Sequence, residues 1–313
     1  MPFPCEQALR GTIGRATKGR GMPELPEVET VRRSLLEHIP GKRVLSVEVR
    51  DPYVLRGQPV EEFRETLLEQ TFHRLERHGK LLFFPLSQGS LIVHLGMTGQ
   101  LTVRLPQRED TEFTRHEKTG LQRTLQHPPD KHTHISLHLE DGVALHYRDV
   151  RKFGRVFTVP EQTRAEIVKR FSLGVDPLSE DFSRSYLAGG LMARKTAIKA
   201  ALLDQKFLAG LGNIYVDEAL FLAGIRPGRG AFRVRGQQLD RLCQTIPQVL
   251  HNGLDAGGTT LRDFLSGTGE AGYNQENLLV YGRYGQPCPV CAETLRRGEF
   301  GGRTTTWCAR CQK

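Results

Sequence analysis

The sequence predicts an α+β fold: an antiparallel β-sandwich flanked by helices, then a helical segment and a cysteine-rich hairpin. Three observations support this prediction. Short strand-like runs fill the first half, apolar residues at helical spacing fill the second half, and two close cysteine pairs end the chain. A chain of 313 residues is long enough for about two domains with a sizeable core.

The first helix is predicted by the helical spacing of Val28, Val31 and Leu35, and Pro40-Gly41 ends it. Alternating or continuous apolar runs predict strands at 43–49, 71–76, 81–86, 90–95, 100–105, 134–139, 143–148 and 154–159. Further helices are predicted at 60–69, 161–175, 185–191, 196–207, 213–223 and 237–254.

Five segments follow from these patterns. They are an N-terminal extension (1–21), the β-sandwich domain (22–160), a linker (161–182), the helical domain (183–280) and the cysteine hairpin (281–313). Residues 106–131 are polar and contain Pro128-Pro129, which predicts a surface insertion. Glycines with little periodicity predict a mobile loop at 258–277.

The chain is basic, with a formal net charge of +9, of which residues 1–21 carry +3 and the remainder +6. An excess of this sign indicates a polyanionic partner such as nucleic acid, although an ordinary solvated basic surface is the alternative. No run of eighteen apolar residues occurs, so the sequence predicts no membrane span.

The C-terminal cysteines are spaced as C-x2-C-x16-C-x2-C, which is typical of a tetrahedral zinc site on two knuckles. They are Cys288, Cys291, Cys308 and Cys311. Two disulfides are the alternative. Residues 1–21 lack the apolar core of a secretory signal, so we expect a reducing compartment, which favours one structural Zn²⁺. Cys243 stands alone in a helical pattern and is interpreted as a small buried hydrophobe.

The segment 22–33, MPELPEVETVRR, is unusual for an internal loop. Removal of Met22 would leave Pro23 as a terminal secondary amine. Attack of that amine on a sugar C1′ would form an iminium, an electron sink that labilises the C2′ proton and permits elimination of the 3′ phosphate. Glu24 lies close enough to protonate the ring oxygen or the leaving base. An ordinary helix start, which Pro and Glu also favour, is the alternative.

Residues 1–21 would place Pro23 in an amide and block this chemistry. We therefore expect translation to start at Met22, which makes the extension spurious. Proteolytic removal of the extension, or a chain without lyase chemistry, are the alternatives. The intact mass of the natural protein distinguishes these cases.

The segment PELPEVETVRR resembles the start of the bacterial formamidopyrimidine-DNA glycosylases, the repair enzymes for 8-oxoguanine. Matching motifs continue in order over nearly all of 22–313, which argues against chance agreement. They are HLGMTGQL (94–101), RDVRKFG (148–154), ARKTAIK (193–199), GLGNIYVDEALFLAGI (210–225), GGTTLRDF (257–264) and the terminal CPVC…WCARC.

The resemblance implies a catalytic β-sandwich domain, a helix–two-turns–helix DNA-binding domain and a zinc-finger β-hairpin. It implies that Pro23 is the nucleophile, Glu24 the proton donor, Lys80 an aid to base loss and β-elimination, and Arg303 an aid to δ-elimination. Glu27 is expected to help fix the first helix and the sugar. Without the resemblance, Lys80 would be interpreted as an edge-strand lysine and Arg303 as a solvated arginine.

The resemblance also implies a group that fills the gap left when the damaged nucleotide leaves the duplex. Met97, Arg151 and Phe153 match the family's void-filling residues: an apolar side chain, an arginine that pairs with the orphaned base, and an aromatic wedge. From its position beside a strand alone, Phe153 would be assigned to the core.

Phosphate contacts are expected from residues at the family's DNA-binding positions, which are His132, Arg151, Arg194 and Asn213. Asn213 lies where a glycine-rich turn meets a helix start, so backbone N–H groups and an amide can hold a phosphate there. A plain N-cap is the alternative for Asn213, and both roles are compatible.

The sequence therefore predicts a bifunctional DNA glycosylase and abasic-site lyase of base excision repair, acting through a proline iminium and β,δ-elimination. We expect duplex DNA containing 8-oxoguanine or formamidopyrimidines as its partner, a monomer, and the cytoplasm of a bacterium with nucleoid association through DNA. An oxidised-pyrimidine glycosylase of the endonuclease VIII kind is the near alternative, disfavoured by PELPE, HLGMTG and RKF. A zinc-hairpin DNA-binding protein without catalysis is the alternative from another class.

Overall fold

The computed structural model of the protein describes residues 22–106, 129–261 and 264–313. The predicted N-terminal extension and most of the predicted insertion at 106–131 lie outside the described residues. Within the described part of the chain, no helix is long and apolar enough to cross a membrane.

Two four-stranded antiparallel sheets form the first half, with strand orders β1-β6-β7-β5 and β2-β3-β4-β8. The strands are β1 (Val44–Val49), β2 (Glu76–His78), β3 (Leu81–Pro85), β4 (Ser90–His94), β5 (Gly99–Arg104), β6 (Thr133–Leu139), β7 (Ala144–Asp149) and β8 (Arg155–Val159). Residues of both sheets pack into one apolar core, so the predicted antiparallel sandwich is confirmed.

The sequence of strand β3 is continuously apolar because both of its faces are buried. Leu82 and Phe84 point into the core between the sheets, whereas Leu81 and Phe83 pack on the other face in a second cluster. Helix α3 (Arg164–Phe171) covers that second face with Ile167. Because both faces of the strand are buried, the alternation of polar and apolar residues disappears.

The helical half follows α3, and the zinc-finger hairpin ends the chain. Helices α1 (Leu25–Leu35) and α2 (Val60–Leu67) belong to the first half of the chain. The helical half contains α4 (Arg184–Met192), α5 (Ile198–Leu202), α6 (Asn213–Leu222) and α7 (Gln237–Asp255). Strands β9 (Arg296–Phe300) and β10 (Arg303–Trp307) pair antiparallel, and β10 packs against α6.

Helix α1 belongs to both halves. Its Val28, Val31 and Leu35 pack in the sandwich core, whereas Leu25 at its first position packs in the core of the helical half. The Leu25 N–H also donates to the Gly210 carbonyl at 3.1 Å. The start of α1, and with it Pro23 and Glu24, is therefore held at the junction of the two halves.

Four predicted elements were wrong in extent. The first helix ends at Leu35 rather than at Pro40-Gly41, and the helix predicted at 161–175 is limited to α3 (Arg164–Phe171). Residues 71–76 form no regular strand, because only Thr71 makes an isolated bridge and β2 begins at Glu76. The helix predicted at 196–207 is limited to α5. It ends because the Asp204 carboxylate accepts the Lys206 N–H at 3.0 Å and the Asp204 carbonyl accepts the Phe207 N–H at 2.8 Å, which makes a turn.

A fully buried ion pair joins the helical half to the hairpin. The Lys199 Nζ donates to Asp217 Oδ1 at 2.6 Å and to Thr305 Oγ1 at 2.7 Å, and the two charged side chains are 0% and 1% exposed. Asp217 also accepts the Thr306 N–H at 3.3 Å. The hairpin strand that begins at Arg303 is thus fastened to helices α5 and α6.

Asp217→Ala should lower the free energy of unfolding by about 3–5 kcal/mol, because it leaves the Lys199 ammonium buried without its counter-charge. Urea denaturation followed by circular dichroism measures the loss. Glu69→Ala, which removes one partner of the exposed Arg43–Glu69 pair, is the control and should change stability by less than about 1 kcal/mol. A loss of similar size in both variants would contradict the importance of the buried pair.

Candidate active site and nucleic-acid interface

Glu24 immediately precedes helix α1, and its side chain contacts the N-terminus of helix α6. The residue is 3% exposed. Its Oε1 accepts the Ile214 N–H at 3.0 Å and its Oε2 accepts the Tyr215 N–H at a longer 3.5 Å. A helix N-terminus favours negative charge, so the carboxyl group is bound where the helix dipole and free N–H groups meet it. A Cβ at Gly212 would lie 2.3 Å from the Glu24 Cδ, so only glycine permits this approach.

The charged residues around Glu24 influence one another strongly. Burial raises the pKa of Glu24 to about 7, against the opposing effect of the nearby Lys80 ammonium and with a further increase from Glu27. Burial lowers the pKa of Lys80, which Glu24 partly counteracts and Arg303 reinforces. The structure thus brings the predicted Glu24, Lys80 and Arg303 into one electrostatic cluster, beside the buried Pro23.

Glu27 connects this cluster to the loop at 258–277. Its Oε2 accepts the Glu24 N–H at 2.8 Å, and its Oε1 accepts the Tyr215 hydroxyl and the Thr259 N–H, each at 2.7 Å. Asn274 donates to the Thr259 hydroxyl at 2.9 Å. The sequence predicted that Glu27 helps fix the first helix and the sugar. It did not identify Tyr215, Thr259 and Asn274, because these hydrogen bonds join residues far apart in the chain.

The turn that presents Lys80 is fixed by the linker. The Gly79 N–H donates to Asp176 Oδ2 at 2.9 Å, and Arg77 pairs with the same carboxylate. Gly79 has φ +57°, and a Cβ there would lie 2.7 Å from the Ala209 Cβ. The turn therefore lies directly on the glycine-rich segment that precedes α6. Asp176 was not identified from the sequence.

His94 is a further residue beside Lys80 that the sequence did not single out. It pairs in register with Leu81, the residue after Lys80, and is 5% exposed. Burial, together with the charges of Arg155 and Lys80, lowers its pKa to about 3, so the imidazole stays neutral. His94 is the first residue of the HLGMTG motif, so that motif is the sequence signal from which it could have been identified.

The predicted void-filling residues lie on two adjacent turns, one after β4 and one after β7. The Arg151 guanidinium carbon lies 4.5 Å from the centre of the Phe153 ring, and Phe153 is 38% exposed. Met97, in contrast, is only 6% exposed. The structure therefore presents Phe153 and Arg151 on the surface, as a wedge would require, whereas Met97 would have to leave its pocket to enter a duplex.

The predicted phosphate-binding residues differ in their availability. Arg194 donates to the Gly190 carbonyl at 2.7 Å and to Asp204 at 3.2 Å, so its guanidinium is already engaged. His132 is partly exposed at the turn before β6. Asn213 donates through Nδ2 to the Thr304 carbonyl at 3.0 Å, next to Arg303, and its buried Oδ1 has no partner among the described residues.

The hairpin cysteines form a compact group in which the four Sγ atoms lie within 4.8 Å of one another. The Sγ atoms of Cys288 and Cys311 are 3.9 Å apart, and those of Cys291 and Cys308 are 3.5 Å apart. A tetrahedral site with Zn–S bonds of about 2.3 Å requires sulfur separations of roughly 3.8 Å. The group therefore fits one Zn²⁺ with no open coordination position for a substrate.

The arrangement defines a class of DNA-repair protein. A β-sandwich and a helical domain meet at the buried side-chain carboxyl group of Glu24, and a zinc hairpin is attached. Three family models match in this order: the formamidopyrimidine-DNA glycosylase N-terminal domain at 22–156, its H2TH domain at 173–265, and the zinc finger found in FPG and IleRS at 285–313.

Comparisons with whole proteins identify the family. The chain is 42% identical to the formamidopyrimidine-DNA glycosylase of Pelotomaculum thermopropionicum, covering 93% of this chain and 99% of the relative, and 39% identical to that of Bacillus subtilis over the same shares. The chain belongs to the formamidopyrimidine-DNA glycosylase family. Its hairpin holds one structural zinc, as the cysteine geometry and the zinc-finger match both indicate.

Solved structures of similar proteins agree with the fold described above. The Lactococcus lactis Fpg in complex with DNA containing an abasic site is 31% identical, with a TM-score of 0.79 over 93% of this chain and 99% of that one. The MutM (FPG) protein from Thermus thermophilus is 36% identical, with a TM-score of 0.76 over 93% of this chain and 98% of that one.

Cys308→Ser should abolish stoichiometric zinc binding, since it removes one of four thiolate ligands from a closed site. Metal analysis of purified protein should find about one zinc per chain in the wild type and much less in the variant. Cys243→Ser lies outside the group and serves as the matched control. Retention of one zinc by Cys308→Ser would contradict this ligand assignment.

Proposed function

We propose that this protein is a bifunctional DNA glycosylase and abasic-site lyase that removes 8-oxoguanine and formamidopyrimidines from duplex DNA. The observation that carries the proposal is the buried Glu24 carboxyl group, held against the α6 N-terminus directly beside Pro23. Membership of the family supports the reaction class. The protein acts as a monomer on DNA in the bacterial cytoplasm and nucleoid.

Pro23, once it is the first residue of the mature chain, is the nucleophile. Its secondary amine attacks C1′ of the damaged nucleotide, and the base leaves with the bonding electron pair and takes up a proton. The proline nitrogen loses its proton, the C1′–O4′ bond breaks with protonation of O4′, and the nitrogen forms a double bond to C1′. The resulting iminium withdraws electrons from C2′, so loss of the C2′ proton expels the 3′ phosphate, and a second elimination releases the 5′ phosphate. Pro23 is joined through Glu24 to helix α1, and α1 packs in the cores of both halves. The position of the Pro23 nitrogen relative to Glu24 is therefore fixed.

Glu24 supplies the proton for base loss or ring opening. A pKa of about 7 keeps a substantial fraction of the carboxyl group protonated at neutral pH, which a general acid requires. Oε2 is the oxygen that can carry the proton, because its contact with the Tyr215 N–H is the longer one. Oε1 keeps its bond to the α6 N-terminus throughout.

Lys80 and Arg303 act on the leaving groups. Lys80, with its pKa lowered by burial, assists base loss and then the first elimination. Arg303, half-buried on the hairpin strand, holds the phosphate next to the lesion and assists the second elimination. The Asn213 contact to Thr304 and the Lys199–Asp217 pair keep that strand in place.

Met97, Arg151 and Phe153 fill the duplex after the nucleotide leaves, and His132, Arg194 and Asn213 bind phosphates. Arg151 over the Phe153 ring provides a flat cationic surface suited to an orphaned base. Binding of phosphates by Arg194 requires it to share its present bonds with Gly190 and Asp204.

Protein that begins at Pro23 should become covalently joined to abasic DNA in the presence of borohydride, because the reagent reduces the iminium to a stable amine. The same chain with residues 1–21 retained should not be trapped, since Pro23 then lies in an amide. Pro23→Gly in the shorter protein keeps an amine but should lose most 8-oxoguanine excision. Gel analysis of labelled DNA reports both reactions. Equal trapping of the extended chain would exclude Pro23 as the nucleophile.

Excision of 8-oxoguanine should slow as the pH rises through about 7, because Glu24 then loses the proton it donates. Glu24→Gln should lower the single-turnover rate by about 10²–10⁴-fold and remove this limb of the pH profile. Rates across pH 5.5–9 on 8-oxoguanine opposite cytosine test the expectation. An unchanged limb in Glu24→Gln would assign the titration to another group.

A further inference from the structure

The Asp149 carboxylate is fully buried at the end of β7 and has no role in the chemistry described above. It accepts four hydrogen bonds. Oδ1 accepts the Thr98 hydroxyl at 2.5 Å and the Arg151 N–H at 3.2 Å, and Oδ2 accepts the Gly154 N–H at 2.8 Å and the Tyr147 hydroxyl at 3.1 Å. An ionised carboxylate only accepts, and these donors match its capacity.

Three of the four donors come from the two turns that carry the void-filling residues, and the fourth, the Tyr147 hydroxyl, lies on β7 with Asp149. Thr98 follows Met97 on the turn between β4 and β5, whereas Arg151 and Gly154 belong to the turn between β7 and β8. The Thr98 hydroxyl oxygen also accepts the Arg151 N–H at 3.1 Å. The carboxylate and the Thr98 hydroxyl thus bridge the two turns with charge-assisted hydrogen bonds, which are stronger than neutral ones.

The turns also approach each other too closely to shift independently. A Cβ at Gly96 would lie 2.5 Å from the Gly154 nitrogen, and a Cβ at Gly154 would lie 2.7 Å from the Leu95 carbonyl oxygen. Backbone therefore packs on backbone around the carboxylate. The side chains that project from the turns inherit this fixed relation, as the Arg151–Phe153 stack shows.

We propose that Asp149 and Thr98 are positioning residues that make the two turns a single rigid wedge for opening the duplex. This inference rests on the proposed function and deepens it. Pushing a stacked nucleotide out of DNA breaks its stacking and pairing, and the inserted side chains can offset that cost only when their turns do not move. Asp149 and Thr98 touch neither substrate nor reacting atoms, and they act through Met97, Arg151 and Phe153.

The wedge matters most where a base must be unstacked. Excision of 8-oxoguanine from a duplex requires that step. An abasic nucleotide has no base to unstack, so its cleavage by the same active site depends far less on the wedge. The ratio of these two activities therefore separates a defect in duplex opening from a general loss of structure.

The test compares Thr98→Val, which keeps the branched shape but removes the bridging hydroxyl, with Tyr147→Phe. Tyr147→Phe removes another donor to the same carboxylate, but one that lies on β7 with Asp149 and does not join the turns. Thr98→Ser restores the hydroxyl. Single-turnover rates are measured for 8-oxoguanine opposite cytosine and for an abasic duplex, with thermal melting of each protein as a further readout.

Thr98→Val should slow 8-oxoguanine excision about tenfold, the size expected for one hydrogen bond to a charged group, and change abasic cleavage less than about twofold. Thr98→Ser should recover most of the excision rate, and Tyr147→Phe should leave the ratio of the two activities near that of the wild type. If Thr98→Val does not fold, Thr98→Ala is subject to the same expectations. Fluorescence of 2-aminopurine next to the lesion should rise more slowly in each hydroxyl-less variant.

Equal losses on both substrates, or no loss on either, would overturn the positioning role while leaving the proposed function intact. A wild-type protein that neither excises 8-oxoguanine nor cleaves the abasic duplex would instead overturn the proposed function, and the inference with it.

Discussion

The contact between the Glu24 carboxyl group and the α6 N-terminus is the interaction on which the rest of the structure depends. It joins the sandwich half to the helical half through a buried polar group. Only a glycine at 212 lets the side chain approach the helix, and the Leu25 N–H bond to Gly210 holds the adjoining backbone. Lys80 and Glu27, which we propose act with Pro23, lie close enough to Glu24 to change its pKa.

Burial does more than hold these groups in place, because it also changes their acidity. The same desolvation raises the pKa values of Glu24 and Glu27 and lowers that of Lys80. A carboxyl group that keeps its proton and an amine that gives one up readily are both useful near neutral pH. The stability needed to hold such groups away from water comes from the apolar cores on either side of α1 and from the zinc hairpin.

Much of the architecture could be predicted because it depends on local patterns. Short stretches of sequence predict the strands, the cysteine cluster and the helix after the glycine-rich turn, and the structure contains all of these except the strand predicted at 71–76. The buried polar groups could not be predicted in the same way. Glu27 with Thr259, Gly79 with Asp176, and Thr98 with Asp149 pair residues separated by 232, 97 and 51 positions, so only the fold brings them together. The burial of Met97 was missed for the same reason.

Helix α1 donates apolar side chains to two cores at once, and this has a consequence for how the molecule can be divided. Cleavage within the linker would leave Leu25 without its partners in one fragment and an open pocket in the other. We therefore expect each half, made alone, to expose apolar surface that α1 covers in the intact chain. Separately made halves could reassemble only if α1 regained its contacts with both apolar cores.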